Sequence, residues 1–401
     1  MNSTRGIARG VAVGALLVLV GGFHSHAAPV DQAKLALANS DFAFTLLTQL
    51  AAEEPGSNIF ISPYSASMAL QMVATGAEGA TLAQMNDALC TTNLQESVVE
   101  SGAKEIAAIV NARNTNFVLI TANAVWYRAG LPIFQNFITA NRDYFGATVE
   151  GLDFDEPSAV NLINEWASEE THGKIDKIIN GPIPADVEMF LANAVYFLGS
   201  WQSPFSPSLT VGRIFTLDGG GQKTVPMMQQ TAFFGYAATS SYQAVRLPYK
   251  GGDLAMYVFL PNAGSSVETV LSSLNGESWQ QVTNGLKPEN GNLSLPKFNS
   301  TYSASLVPPL EAMGMKTAFT PGANFSKISS LKPLYIGAVE QQALVEVNEA
   351  GTVAAAVTTI TVVTTAMPML QFQMAVNHPF LFFIEDEQAG TILFSGIVYD
   401  P

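Results

Sequence analysis

A long uncharged segment near the carboxyl end most restricts what this chain can fold into. From residue 350 to residue 384 the sequence contains no Asp, Glu, Lys or Arg, and residues 352–367 also lack Gly and Pro. Such a composition has strong β-propensity and no charged side chain that would discourage strand pairing. The 16 residues from Thr352 to Met367 exceed the usual strand length of about 5 to 6 residues. Because a permanently exposed edge strand of this kind would aggregate, we expect a loop that becomes a strand.

One face of this segment is suited to burial in a sheet. Read with period two, that face carries only small or apolar residues: Thr352, Ala354, Ala356, Thr358, Ile360 and Val362. A strand that enters the middle of a sheet must bury one face, where a charge would cost several kcal/mol and a Pro would lose a ladder hydrogen bond. Gly351 precedes the segment and supplies the unrestricted backbone that a hinge uses. The pattern therefore predicts a strand that can be added to an existing sheet.

The charge balance excludes several classes of partner. The chain of 401 residues has a net charge of −15 with only 18 Lys and Arg, whereas nucleic acid, anionic membranes and heparin-like chains require clustered positive charge.

Cys90 is the sole cysteine, so no intrachain disulfide can form, and its apolar neighbours indicate a buried small side chain rather than a nucleophile. Packing must therefore stabilise the fold.

The amino terminus has the layout of a secretory signal peptide. Arg5 and Arg9 precede an apolar run of 13 residues from Val11 to Phe23, and Ser25-His26-Ala27 provides small residues before a cleavage point. A membrane anchor is the competing interpretation, but a bilayer needs about 20 apolar residues. We expect residues 1–27 to be removed and the mature chain to be secreted, into the extracellular space or into the periplasm if the source is bacterial.

The order of predicted elements indicates a mixed α+β fold in a single domain. Apolar residues at three- and four-residue spacing predict a helix from Gln32 to Leu50, and Pro63 begins another. After residue 115 short apolar runs predict strands, with helical intervals at 161–179 and 266–279, and the chain ends in a buried hairpin over 380–394. No repeat, linker or charge run marks a domain boundary.

Catalytic motifs are scarce. Two of the four His residues lie in the predicted signal peptide, which leaves His172 and His378, each better explained as a structural or surface residue. There is no G-x-S-x-G, C-x-x-C or H-E-x-x-H spacing, and the Gly-rich run at 218–221 indicates a hairpin turn. Scattered carboxylates leave a glycosidase pair open. We expect a protein that is not an enzyme and binds no metal or cofactor.

The segment from Glu349 to Thr358 resembles the hinge of the reactive-centre loop of serpins. The resemblance extends over nearly the whole mature chain through six collinear motifs. These lie at residues 58–65 with 75–81, 164–175, 193–201, 295–298, 349–358 and 378–396.

This resemblance implies a single-domain serpin fold over residues 28–401, with about eight or nine helices around three β-sheets and an exposed reactive-centre loop at about 349–373. It also implies a suicide-substrate mechanism, in which a serine-type endopeptidase cleaves the loop, is held as an acyl-enzyme and is trapped when the loop inserts into the main sheet. A non-inhibitory serpin-like carrier or chaperone is the alternative.

The resemblance assigns roles residue by residue. Lys297 would pair with Glu349 at the base of the loop. The hinge positions would be Glu349, Gly351, Thr352, Val353, Ala354, Ala355, Ala356, Val357 and Thr358. The shutter and breach positions, beneath and at the top of the opening strands, would be Ser62, Pro63, Ser65, Asn193, Trp201, Lys297 and Gln341. Three positions depart from the family pattern: Val353 replaces a usual Glu, Ala350 stands where a charged residue is common, and Gln341 replaces a usual His. Because Gln341 cannot titrate, no pH-sensing shutter is expected.

The expected target is a protease that accepts small or apolar residues. Family spacing puts the scissile bond at Thr365-Ala366, with the bond before or after Met367 as the alternative, because the loop is about three residues longer than the common pattern. No Lys or Arg follows Lys332, so proteases with an acidic primary pocket have nothing to cleave in the loop. We expect a monomer that forms a covalent complex with an elastase-like or subtilisin-like enzyme, with a cysteine protease as a further class.

Overall fold

The computed structural model describes residues 30–111, 117–185, 187–330, 334–352 and 369–401. Within these ranges the α-helices are α1 (Val30–Glu53), α2 (Pro63–Ala74), α3 (Gly79–Ala88), α4 (Glu96–Asn111), α5 (Gln135–Ala140), α6 (Ser158–Glu170), α7 (Val267–Ser272), α8 (Gly276–Gly285) and α9 (Val307–Ala312). The strands are β1 (Ile59–Ile61), β2 (Phe117–Arg128), β3 (Thr148–Leu152), β4 (Met189–Ser200), β5 (Val211–Thr216), β6 (Gln222–Ala238), β7 (Tyr242–Pro248), β8 (Leu254–Pro261), β9 (Lys287–Pro296), β10 (Phe298–Ser305), β11 (Ile336–Asn348), β12 (Gly351–Thr352), β13 (Phe372–Ala375), β14 (Phe380–Asp386) and β15 (Thr391–Val398).

Hydrogen bonds join these strands into two sheets. The six-stranded sheet has the order β10-β11-β12-β4-β2-β3, and β11 also pairs directly with β4. The nine-stranded sheet has the order β1-β15-β14-β8-β7-β6-β9-β13, with β5 paired to β6. Three sheets were expected; the long strand β6 pairs with β5 and β9 and then with β7, so it links two of them into one hydrogen-bonded network.

The main core lies between the nine-stranded sheet, the inner face of the six-stranded sheet and the amino-terminal helices. α1 buries Leu35, Phe42 and Leu46 completely, which is the stripe that its three- and four-residue apolar spacing predicts. Every residue of α2, β14 and β15 is buried. A hairpin that is apolar on both faces belongs inside a protein, and the expected burial of the carboxyl-terminal hairpin is found.

A second apolar cluster lies on the other face of the six-stranded sheet. There α6 places Ala159, Ile163 and Ala167 among a cluster that includes buried alanines of β2 and β4. The segment that links α6 to β4 contributes Ile175 and Ile178 to the same cluster. α6 therefore covers the outer face of β2 and β4, and β4 is one of the two strands that flank β12.

Some predicted boundaries were wrong for local reasons. The interval expected to be helical to residue 179 ends at Glu170, because His172 and Gly173 take positive φ, which a helix cannot continue. The interval 266–279 contains two helices, since Asn275 caps α8 in a capping box. β5 and β6 were not anticipated, because β5 begins with four exposed residues, β6 begins with three exposed polar residues, and β6 contains Pro226.

The turn predicted at 218–221 joins β5 to β6, as expected of a Gly-rich hairpin. Among the described residues, no helix is long and apolar enough to cross a membrane.

Candidate functional site

The site lies where the uncharged segment begins. β4 and β11 pair directly, in parallel, from Met189–Ile336 to Tyr196–Leu344. Beyond that point they diverge, and the two residues of β12 lie between them. Thr352 is opposite Val347 on one side and Gly199 on the other. The hinge residue Gly351 and the first residue of the predicted insertable strand, Thr352, are therefore already part of the six-stranded sheet.

Gly351 is required by backbone geometry. Its φ is +153°, and a Cβ there would lie 2.0 Å from the carbonyl oxygen of Gly199. This contact involves main chain on both sides, so a side chain at residue 351 could not be accommodated by a rotamer change. The close approach of the two backbones thus explains the Gly at the start of the segment.

Thr352 is fully buried, and its hydroxyl has a partner. Its Oγ1 lies 2.8 Å from the Tyr249 hydroxyl, where either oxygen can donate. Burial raises the pKa of Tyr249, so the phenol keeps its proton. The Tyr249 ring stacks on Trp201 with centroids 4.6 Å apart and meets Phe197 edge-on at 5.0 Å.

Glu349 anchors the base of the loop. Lys297 Nζ lies 2.9 Å from Glu349 Oε2, the pair that the resemblance implies, and the Thr210 hydroxyl donates to Glu349 Oε1 at 2.8 Å. Partial burial raises the pKa of Glu349, but the hydrogen bonds from Lys297 and Thr210 outweigh it, so the pKa is lowered overall. The carboxylate is charged near neutral pH, and its two contacts fix the first of the predicted hinge positions.

Trp201 holds the turn between β11 and β12 from both sides. Its indole Nε1 donates to the carbonyl of Asn348 at 2.9 Å, and its backbone N–H donates to the carbonyl of Ala350 at 2.9 Å. The Asn348 side chain accepts the backbone N–H of Ala350 at 3.0 Å. The turn therefore has a defined geometry before any strand is added below it.

A polar cluster lies along the seam, the line where β4 and β11 pair directly. The Gln341 amide accepts the Ser62 backbone N–H at 2.9 Å, and donates to the Ser62 carbonyl at 3.0 Å and to Asn193 Oδ1 at 2.6 Å. Asn193 in turn donates to the Ser65 hydroxyl. Ser62 caps α2, with Pro63 in its first turn. The structure thus brings together Ser62, Ser65, Asn193 and Gln341, which the sequence assigned to one group.

Asn123 belongs to this cluster and was missed from the sequence. It lies opposite Asn193 in the β2–β4 register, and its Oδ1 accepts from Asn193 at 2.5 Å and from Ser65 at 3.3 Å. The available signal was an uncharged polar residue inside the apolar strand predicted at 117–126. A buried amide needs partners, and only the pairing of β2 with β4 reveals which residues supply them.

The residues that could act in catalysis, His172, His378 and Cys90, lie away from this site and are not brought together. His378 Nε2 lies 2.8 Å from the Pro261 carbonyl, and His172 sits in the turn after α6. Burial raises the pKa of Cys90 to about 11, so its thiol is protonated at neutral pH. In the described part of the chain, no group of three or more His, Cys, Asp or Glu is placed to hold a metal ion.

The two described ends of the loop are held by different sheets. At the carboxyl end the backbone N–H of Gln371 donates to the Asn290 carbonyl at 2.7 Å, and β13 then pairs with β9. Met369, just before this point, is 88% exposed. The remaining predicted hinge positions and the scissile-bond residues fall outside the described residues, namely Val353, Ala354, Ala355, Ala356, Val357, Thr358, Thr365, Ala366 and Met367.

Three kinds of comparison with known proteins point to the same family. The family model "Serpin (serine protease inhibitor)" matches residues 37–401. The leukocyte elastase inhibitor of Sus scrofa is 34% identical over 379 residues, 92% of this chain and 100% of that protein. The thermophilic serpin Tengpin in its native state superposes with a TM-score of 0.84 at 30% identity, covering 92% of this chain and 94% of Tengpin. Human thyroxine-binding globulin in complex with thyroxine has a TM-score of 0.84 at 25% identity, with coverages of 92% and 99%.

Proposed function

The chain belongs to the serpin family of serine protease inhibitors, and from this premise we propose that it traps serine-type endopeptidases as a suicide substrate. The observation that carries the proposal is the position of β12 between β4 and β11. A loop whose hinge residues Gly351 and Thr352 already pair with both neighbouring strands can continue as a strand in the same sheet.

The proposed reaction begins as ordinary proteolysis. The hydroxyl of the protease serine adds to the carbonyl of Thr365, the bond to Ala366 breaks, and the amine of Ala366 leaves with the proton from that serine. An ester now joins Thr365 to the protease. If the loop then inserts between β4 and β11, it carries the protease with it before water can hydrolyse the ester.

Insertion would require β4 and β11 to separate. Their present pairs, from Tyr196–Leu344 down to Met189–Ile336, would be replaced by pairs to the new strand. The inward face would follow from Thr352 with period two, through Ala354 and Ala356. A strand inside a sheet tolerates no charge or Pro on a buried face. These positions carry only small, uncharged side chains, so they meet that requirement.

The proposed target is an elastase-like or subtilisin-like protease. The absence of Lys and Arg after Lys332 removes the cleavage sites that trypsin-like enzymes need, and the loop offers Thr, Ala, Val and Met instead. The similarity to a protein named leukocyte elastase inhibitor supports the same class. The scissile bond proposed is Thr365-Ala366, with the bonds at Met367 as alternatives and a cysteine protease as a further target class.

A carrier function is the competing proposal, because human thyroxine-binding globulin in complex with thyroxine shares the fold. Carriers need no loop insertion. The small inward residues and the paired β12 favour inhibition.

Incubation with pancreatic elastase, subtilisin and trypsin, followed by denaturing electrophoresis, tests the proposal. We expect a covalent complex with elastase or subtilisin that survives denaturation, and none with trypsin. Cleavage of the loop by both of the first two enzymes without any complex would contradict inhibition and favour the carrier.

We also propose that the protein is exported, because residues 1–27 follow the signal-peptide pattern. Expression of the full chain with its amino terminus, followed by amino-terminal sequencing of the protein in the medium, tests this. Export predicts a mature chain that begins at about Ala28. Retention of residues 1–27 on all of the protein would contradict it.

A further inference from the structure

Two buried hydroxyls meet at the entrance to the seam. Thr352 and Tyr249 are both fully buried, and their oxygens are 2.8 Å apart. Within the part of the chain that the structure describes, this is the only side-chain hydrogen bond that either hydroxyl makes. Each hydroxyl therefore depends on the other, since a buried polar group without a partner is destabilising.

Tyr249 is held in place independently of the loop. Its ring packs against Trp201 and Phe197, and its backbone pairs with Trp201 and donates to the Leu254 carbonyl. Gly199 makes room for the ring, because a Cβ there would lie 2.8 Å from Tyr249 Cδ1. The phenol oxygen is thus a fixed point to which Thr352 docks.

We propose that Tyr249 is a positioning residue that holds Thr352 in the sheet before cleavage and so sets the register in which the loop inserts. This inference rests on the trapping function proposed above and adds a residue to it. A one-residue slip would turn every side chain of the new strand to the opposite face. With Thr352 docked, the inserted strand would place Ala354 and Ala356 on its inward face and Val353 on its outward face.

The docked pair also affects the speed of insertion. Starting a strand orders several backbone torsions before the stabilising contacts form, and here Gly351 and Thr352 are already ordered between β4 and β11. Insertion competes with hydrolysis of the ester, so a strand that is already started increases the fraction of protease that is trapped.

A double-mutant cycle tests the pair against a general loss of packing. Tyr249→Phe keeps the ring contacts and leaves the Thr352 hydroxyl without a partner, whereas Thr352→Val keeps the shape and leaves the Tyr249 hydroxyl without one. With elastase and subtilisin, we expect each single variant to raise the ratio of cleaved to trapped inhibitor about tenfold. The double variant should return to within about twofold of the parent, because replacing both partners by apolar groups is nearly neutral.

Tyr302→Phe is the matched control. It removes a phenol that donates to Glu54 at 3.0 Å. Tyr302 lies in β10, at the edge of the six-stranded sheet that contains Thr352, and the ratio should not change. Thr352→Ser keeps a hydroxyl and should retain most of the parental trapping. Single variants that trap as well as the parent, or a double variant no better than the worse single one, would overturn the proposal.

Hydrogen exchange tests the docked state without any protease. In the uncleaved parent we expect the amides of Gly351 and Thr352 to exchange at least about tenfold more slowly than in an unstructured peptide, and Tyr249→Phe to remove most of this protection. Unprotected amides in the parent, or unchanged protection in the variant, would overturn the inference. If no protease forms a complex with the parent, the proposed function fails, and exchange alone decides the role of Tyr249.

Discussion

The seam between β4 and β11 and the hairpin of β14 and β15 are both internal strand pairings, but they are built from different residues. Polar side chains cross the seam, where Gln341 bonds to Ser62 and Asn193. The hairpin is buried along its whole length and packs by aromatic contacts, with Phe383 within 5.7 Å of three other rings.

The difference indicates which pairing can open. A hydrogen bond contributes about 0.5–1.5 kcal/mol net, and most of it is recovered when a new strand supplies equivalent bonds. A buried apolar side chain contributes about 1.5–3 kcal/mol that is recovered only by equal burial. Parallel pairing is also slightly weaker per residue than antiparallel pairing. We infer that β4 and β11 can exchange their mutual pairing for pairing to a new strand, whereas β14 and β15 stay paired to each other.

The largest effect is expected from a charge at the top of the seam. Thr352→Arg would place a guanidinium at a fully buried position, which costs several kcal/mol, so the loop should be cleaved by elastase or subtilisin without trapping. Val353→Arg is the matched control, since residue 353 should face outward and trapping should persist. Equal trapping by both variants, on denaturing gels, would show that the inward face is assigned wrongly.

The hairpin should respond to a cavity with lost stability rather than lost trapping. Phe383→Ala removes a ring that is fully buried among Phe44, Phe259 and Trp279, and should lower the free energy of unfolding by about 3–5 kcal/mol. Urea denaturation measures this change. The fraction of protease trapped by the folded variant should match the parent; a large fall would mean that the hairpin also takes part in insertion.

A smaller effect is expected from the polar cluster in the seam. Gln341→Leu removes the hydrogen-bond partner of the Ser62 backbone N–H and of Asn193 Oδ1, and should lower the free energy of unfolding by about 1–3 kcal/mol. Hydrogen exchange in β4 and β11 should accelerate, while exchange in β14 and β15 should change little. Gln342→Leu, on the opposite face of the same strand, is the control. Similar acceleration in both variants would argue against a specific role for Gln341.

The two regions should also respond to pH in opposite directions. Burial raises the pKa of Glu385 in β14 from 4.5 to about 8, with hydrogen bonds from Trp279 and Tyr257 opposing the shift and the charges of Glu387 and Asp386 adding to it. The folded state therefore holds a proton that the unfolded state has lost. Stability from this group is complete below pH 4.5 and falls as the pH rises to about 8, by up to about 1.4 kcal/mol per pH unit.

At the seam the sign is reversed, because the folded-state pKa of Glu349 is lowered. Its contribution is present at neutral pH and is lost as acid protonates the carboxylate and breaks the pair with Lys297. Urea denaturation from pH 4.5 to 8 should show a smaller decline for Glu385→Gln than for the parent. Acidification should expose Gly351 and Thr352 to exchange sooner than residues of the hairpin. The same pH profile in parent and Glu385→Gln would contradict the first assignment.

Much of this arrangement could be predicted from the sequence because it depends on local pattern. The burial of the hairpin follows from its two-sided apolar strands. The insertable face beyond Thr352, read from the small residues at alternate positions, stays a prediction. The fold and the grouping of Ser62, Ser65, Asn193 and Gln341 followed from the resemblance to a family.

Tyr249 and Asn123 could not be predicted, because their roles depend on register between distant strands. Asn123 meets Asn193 through the pairing of β2 with β4, and Tyr249 reaches Thr352 across 103 positions of the chain. The close approach of the Gly199 and Gly351 backbones could not be predicted either, because a glycine in the sequence is its only sign.

Thermal unfolding of the protein before and after cleavage of its loop tests the central claim most directly. On the proposed mechanism, cleavage by subtilisin or elastase within residues 353–368 would free the loop to enter the sheet, where a new central strand would add a full ladder of hydrogen bonds and a buried face. We predict that the cleaved parent unfolds at a clearly higher temperature than the intact chain, and that cleaved Thr352→Arg shows no such gain. An unchanged or lower unfolding temperature for the cleaved parent would contradict insertion at the β4–β11 seam.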